Sequence, residues 1–174
     1  MTHAELLLQD YDQEIAGARR VLERVPEDKP GYTCHPKSMP LGRLAMHVAT
    51  LPNFGRTILS TPGMDMADPN HKWPDMTWTS REAALAAFDK NAAETRAALA
   101  SLSDAQLAEP WKFAFGEHVV SNTPRSQSYR TFFFNHFLHH RAQLSVYLRL
   151  NDIPVPGLYG PTADEPFNPT AKPA

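Results

Sequence analysis

The side chains richest in chemistry in this 174-residue chain lie in one stretch, Asn135-His136-Phe137-Leu138-His139-His140-Arg141-Ala142-Gln143. A helix turns about 100° per residue, so His136 and His140 stand roughly 40° apart and one turn apart along the axis, close enough for both imidazoles to reach one metal ion. His139 sits about 100° from His140 on the same wheel and is expected to point elsewhere. Eight histidines in this length give roughly 0.4 such pairs by chance, so the spacing alone is a weak signal. A third ligand strengthens it. His3 is near the N-terminus, and His35, His71 and His118 fall in expected loops. His47 lies in an expected helix among Leu44, Val48 and Leu51. A histidine beside an apolar stripe is more often a hydrogen-bonded core residue than a ligand. In a bundle, though, one inward histidine facing an i,i+4 pair builds a three-histidine site with open positions. Two readings therefore stand: a divalent transition-metal site at His47, His136 and His140, or three satisfied core histidines. Imidazole suits zinc and nickel alike.

Other residues carry weaker signals. Cys34 is the only cysteine, and no base-bearing motif surrounds it, so it reads as a loop thiol. Asp10, Asp12 and Glu14 are read as solvated charges, with a fourth ligand or a supporting shell as the alternative. Arg141 either binds an anionic substrate or pairs with a surface carboxylate. Trp73 and Trp78 flank a loop and either shape a pocket or simply pack. Phe132, Phe133 and Phe134 in a row are not expected to face one core, so one of them is expected to meet another helix or a partner chain. A homodimer through helix faces follows from that surplus aromatic surface.

Four helices must position these groups. Leu7, Tyr11, Ile15, Ala18, Leu22 and Val25 recur at spacings of three and four, which predicts a first helix ended by Pro26 and Pro30. A second helix, with Ser38 as N-cap and Pro40 in its first turn, buries Leu41, Leu44, Ala45, Val48 and Leu51, then Ile58 and Leu59. Pro52 removes the donor to the Val48 carbonyl and is expected to kink it, a bend that would open the bundle end near His47. Residues 61–79 read as loop. A capping box of Thr79 and Glu82 opens a third helix through Leu85, Phe88, Ala92, Thr95, Leu99 and Leu102. Ser103 and Gln106 cap a further short turn closed by Pro110. Trp111 to Thr123 is read as a short hairpin or irregular crossover around Gly116. A fourth helix runs from about Pro124 to Leu150, and the proline-rich tail 157–174 is expected to lie on the surface or fray.

The whole, 1–174, is expected to be a single all-α domain, a four-helix bundle with long proline-rich connections. Lys plus Arg is 17 and Asp plus Glu is 19, a net charge of −2 that argues against nucleic-acid binding. No apolar run approaches the roughly 20 residues of a membrane helix, and the N-terminus lacks a signal-peptide pattern. With one cysteine and no intrachain disulfide, a cytoplasmic location is expected.

The chain resembles the DinB/YfiT-like superfamily of small bacterial metal-binding four-helix bundles, which is distinct from the polymerase sharing the DinB name. The resemblance spans most of the chain and rests on Pro40-Leu41-Gly42-Arg43-Leu44-Ala45-Met46-His47-Val48-Ala49. It rests more strongly on Asn135 to Arg149 and on the following Ile153-Pro154-Val155-Pro156-Gly157-Leu158-Tyr159-Gly160-Pro161-Thr162-Ala163-Asp164-Glu165. The family often has Gly where this chain has Ala142. The resemblance implies a zinc or nickel ion on His47, His136 and His140. It also implies a metal-dependent enzyme of the thiol S-transferase or hydrolase type, acting with a low-molecular-weight thiol or another small-molecule substrate. The alternative is a non-enzymatic metal-binding stress or sensor module.

Overall fold

A computed structural model describes residues 1–167. Its elements in chain order are α1 (His3–Leu22), α2 (Leu41–Ser60), β1 (Gly63–Asp65), α3 (Arg81–Ala100), α4 (Asp104–Ala108), β2 (Pro110–Phe115), β3 (His118–Pro124) and α5 (Arg125–Ser128). A π-helical turn, Tyr129–Phe134, then leads without a break into α6 (Asn135–Arg149). No helix among the described residues is long and apolar enough to cross a membrane.

The periodic apolar faces become the core. Leu7, Tyr11, Ala18 and Leu22 of α1 are buried, as are Leu41, Leu44, Ala45, Val48, Leu51, Ile58 and Leu59 of α2. Phe88 of α3, Phe133 and Phe137 fill the centre with ring centroids 5.8–6.3 Å apart. Burial of each such ring contributes about 1.5–3 kcal/mol. Tyr11 reaches across to donate its hydroxyl to the Ala92 carbonyl at 2.9 Å.

The helix starts differ from the sequence reading by a residue or two, for a physical reason. Pro40, not Ser38, holds the N-cap position of α2, with no side-chain cap. Loop carbonyls do that work: Leu41 N donates to Tyr32 O at 2.8 Å and Gly42 N to Pro30 O at 2.9 Å. Ser80, not Thr79, caps α3 by accepting from Ala83 N at 3.0 Å. The Ser103–Gln106 box at α4 forms as read. α2 runs on past Pro52, and α3 satisfies carbonyls beside it, with Asn91 Nδ2 donating to Ala49 O at 3.1 Å and Thr95 Oγ1 to Pro52 O at 2.5 Å.

The fold is mostly helical, but it is not a pure all-α bundle. β1, β2 and β3 form a small sheet in that order, β1 parallel to β2 and β2 antiparallel to β3. The hairpin reading of 111–123 thus holds, and residues 63–65, read as loop, add the third strand. That strand pairs with Lys112–Ala114, about fifty positions along the chain, so no local periodicity announces it. Gly116 turns the hairpin with φ +58°, a left-handed value that suits glycine. Its amide donates to Asp65 Oδ1 at 2.8 Å, tying the turn to the end of β1.

The expected fourth helix carries a π turn that the sequence reading did not contain. One wide turn spreads the three consecutive phenylalanines over two packing surfaces. Phe133 and Phe134 are buried, and half-buried Phe132 faces the sheet with its ring 5.0 Å from that of Phe113. The triplet supplies no exposed aromatic face, so a homodimer would need another surface.

The described part of the tail, 157–167, is tied down rather than frayed. Glu165 receives the guanidinium groups of Arg20 (2.6 Å) and Arg24. Asp164 pairs with Arg149 at 2.5 Å and accepts from Val155 N at 2.8 Å. Residues 168–174 of the expected tail lie outside the described residues.

Candidate metal site and its cavity

α2 presents His47 and α6 presents His136 and His140, and the three half-buried side chains converge. One ring nitrogen from each lies within 4.8 Å of the others, a cluster that could hold a metal ion. The Nε2 atoms of His47 and His136 are 3.3 Å apart. Two imidazole nitrogens on one tetrahedral zinc, at about 2.05 Å each, would stand roughly 3.3 Å apart, so these two fit such an ion. The His47 and His140 ring centroids are 4.4 Å apart.

The protonation states suit ligation. Burial first, then the charges of His140, His136 and Arg43, pushes His47 down to about 4. Burial and His136 bring His140 to about 4 as well, against the hydrogen bond it makes to Gln143. Burial also lowers His136, opposed by a hydrogen bond to the Phe132 backbone. All three are therefore neutral near pH 7, the ligating form. Gln143 Oε1 lies 2.8 Å from His140 Nδ1. An amide oxygen can only accept, so Nδ1 carries the proton and Nε2 keeps its lone pair.

His139 is exposed and outside the cluster, where the helical wheel put it. Among the described residues no carboxylate joins the three histidines. Asp12 is held by Arg96 at 2.8 Å and Asp10 lies 3.9 Å from Arg130. Glu14 is buried, not solvated, and pairs with Arg141 at 2.5 Å. Arg141 is buried too, with Glu14 and the Tyr159 hydroxyl as partners, so it is not free for an anionic substrate and its carboxylate is not on the surface. Cys34 stays an exposed loop thiol, its Sγ 3.8 Å from Ser38 Oγ.

A cavity of about 360 Å³ opens beside the cluster, with His47 and His136 in its wall. Most of the rest of the wall is apolar, with Phe54 of α2, Met64, Met66 and Met76 of the 63–76 stretch, Phe113 of β2 and Phe132 of the π turn, beside the polar His71 and Lys72. Trp73 lines it, as one reading allowed, whereas Trp78 packs on Gly42. The methionines escaped sequence reasoning. Their signal was there in the three apolar side chains at 64, 66 and 76 within a supposed loop. A second hollow of about 420 Å³ beside Arg125 has no such chemistry. Its arginine is spent on the carbonyls of Ile58 (2.5 Å) and Thr61 (2.6 Å) at the end of α2.

A helical frame with a small sheet and a cluster of three histidines defines the class. The chain belongs to the DinB superfamily, whose profile matches residues 5–144. It is similar in fold to a solved DinB-like protein from Bacillus cereus, 23% identical, with a TM-score of 0.64 over 87% of this chain and 95% of that one. A DinB-like protein from Bacillus subtilis is 16% identical, with a TM-score of 0.66 over 88% and 97%. No curated protein matches the chain.

Proposed function

We propose that His47, His136 and His140 hold one divalent transition metal, zinc or nickel, and that the protein is a metal-dependent enzyme of the thiol S-transferase or hydrolase type. One observation carries this reading: the three convergent imidazoles stand beside a cavity, and no described carboxylate closes the cluster. A structural zinc site is normally closed by a fourth protein ligand, whereas a catalytic one keeps a position open. When bound, such an ion supplies Lewis acidity that lowers the pKa of a thiol or a water. The chain's own part is positional. Gln143 fixes the His140 tautomer, burial keeps the three rings neutral, and a largely apolar wall surrounds the side where His47 and His136 face the cavity.

Elemental analysis of the purified chain, followed by thermal-shift titration with zinc, nickel and low-molecular-weight thiols, tests the reading. One ion per chain, and further stabilisation by a thiol only when the ion is present, is the expected result. A tightly held ion with no response to any thiol or ester substrate would favour the stress or sensor module instead. Absence of binding by the parent chain would end the metal reading.

A further inference from the structure

We infer that the cavity beside the histidine cluster takes a small molecule with an apolar, aromatic-sized body and one soft donor atom directed at His47 and His136. This deepens the proposed function and rests on it for the donor end alone. The cavity's volume, about 360 Å³, suits a small ligand and is too small for a peptide helix. The α2 side of its wall has little left to offer a polar body. Thr50 Oγ1 donates to Met46 O at 2.9 Å and Thr57 Oγ1 to Asn53 O at 3.1 Å, so both hydroxyl protons are used within α2. Asn53 Oδ1 accepts from Arg56 Nη2 at 2.8 Å. Apart from His71 and Lys72 in the 63–76 stretch, what remains is apolar or aromatic, chiefly three thioethers and the rings of Phe54, Phe113 and Phe132. Methionine is flexible and polarisable and makes favourable contacts with aromatic rings, which suits a flat apolar guest. A sugar-like body would lose its hydration there with few replacement hydrogen bonds.

The six methionines allow a readout that needs no metal. The full-length chain is labelled at its methionine methyl groups and followed by NMR, with phenethyl alcohol, phenethyl mercaptan and glucose as probes. Both phenyl compounds are expected to shift the Met64, Met66 and Met76 signals and leave Met1 and Met39 in place, with or without zinc. Glucose at equal concentration is expected to shift none. With zinc added, the mercaptan is expected to bind about tenfold tighter than the alcohol, since only the thiol can reach the ion as thiolate. The double variant Met66→Gln with Met76→Gln is expected to weaken phenethyl alcohol about fivefold while keeping the parent's zinc stoichiometry and helical content. Unshifted cavity methyls, equal shifts at Met1 and Met39, or glucose matching the phenyl compounds would overturn the inference. Equal affinity of mercaptan and alcohol on the zinc-loaded chain would overturn its orientation. Failure of zinc to bind at all would instead strike the proposed function, because the alcohol arm reads the cavity without it.

Discussion

Gly55 of α2 lies against the ring of Phe133 so closely that a Cβ there would come within 2.7 Å of Phe133 Cδ1. Helix α2 and the π turn can approach this far only because position 55 has no side chain. Gly55→Ala is therefore expected to destabilise the protein by about 1–3 kcal/mol through overpacking, even though alanine is the better helix former by roughly 1 kcal/mol. The midpoint of urea unfolding measures this. An unchanged or raised midpoint would mean that Phe133 has room to yield.

The histidine variants separate ligands from bystanders. Zinc at about a hundred times its Kd stabilises a native state by about 2.7 kcal/mol, a rise in melting temperature on the order of 5–10 °C for a chain of this size. His47→Ala, His136→Ala and His140→Ala are each expected to lose that rise, and His139→Ala to keep it. If His139→Ala abolished the response while His136→Ala retained it, the ligand assignment would be wrong.

Acid should weaken the metal-free protein in a defined window. His47 and His140 titrate at about 4 in the fold, against 6.5 for an unperturbed histidine. The unfolded chain thus takes up protons from about pH 6.5 downward while the folded chain does not. Stability from these two groups is fully present above pH 6.5 and is lost progressively as the pH falls towards 4. Chemical denaturation of the metal-free chain between pH 7 and 5 is expected to show this decline, and His47→Gln with His140→Gln to flatten it. A parent curve as flat as the variant's would contradict the burial argument.

The pair of Glu14 and Arg141 predicts a large effect from a small change. Glu14→Ala leaves a guanidinium in a site where Arg141 is 2% exposed and its Nε has no hydrogen-bond partner. The expected cost is about 3–5 kcal/mol. Glu14→Gln with Arg141→Met, which removes both charges, is expected to recover much of that loss in the same unfolding assay. A double variant no more stable than Glu14→Ala would show that the charges themselves hold the site together.

The helices and the His136–His140 pair were legible because both depend on short-range spacing, whereas His47 joins them from another helix and followed from bundle packing and the family resemblance. Positions three and four apart share a helix face, so the buried stripes of α1, α2 and α3, and the pairing of His136 with His140, follow from local counting. What escaped depends on distant partners. β1 exists because Gly63–Asp65 meets Lys112–Ala114, and the tail is held because Glu165 meets Arg20, 145 positions away, and Asp164 meets Arg149 at the end of α6. The Ser38 and Thr79 caps were misplaced because the carbonyls of Pro30 and Tyr32, and a neighbouring serine, met those amides instead. The π turn changes the number of residues in one turn and leaves no mark on composition. The three phenylalanines do not share one surface, and the one left over, Phe132, meets Phe113 of the sheet rather than another helix or a partner chain.

The cavity wall is drawn from two independent parts of the chain. His47 and His136 stand on the long helices α2 and α6, while Met64, Met66, Met76 and Phe113 come from the 63–76 stretch and the hairpin. Reactivity and selectivity can therefore drift separately. Replacing the stretch and the hairpin strand would change which molecule is admitted and leave the imidazoles where they are. In an engineered library, diversity confined to those few positions should yield new specificities without rebuilding the bundle, and among natural relatives that stretch is where preferences should diverge first.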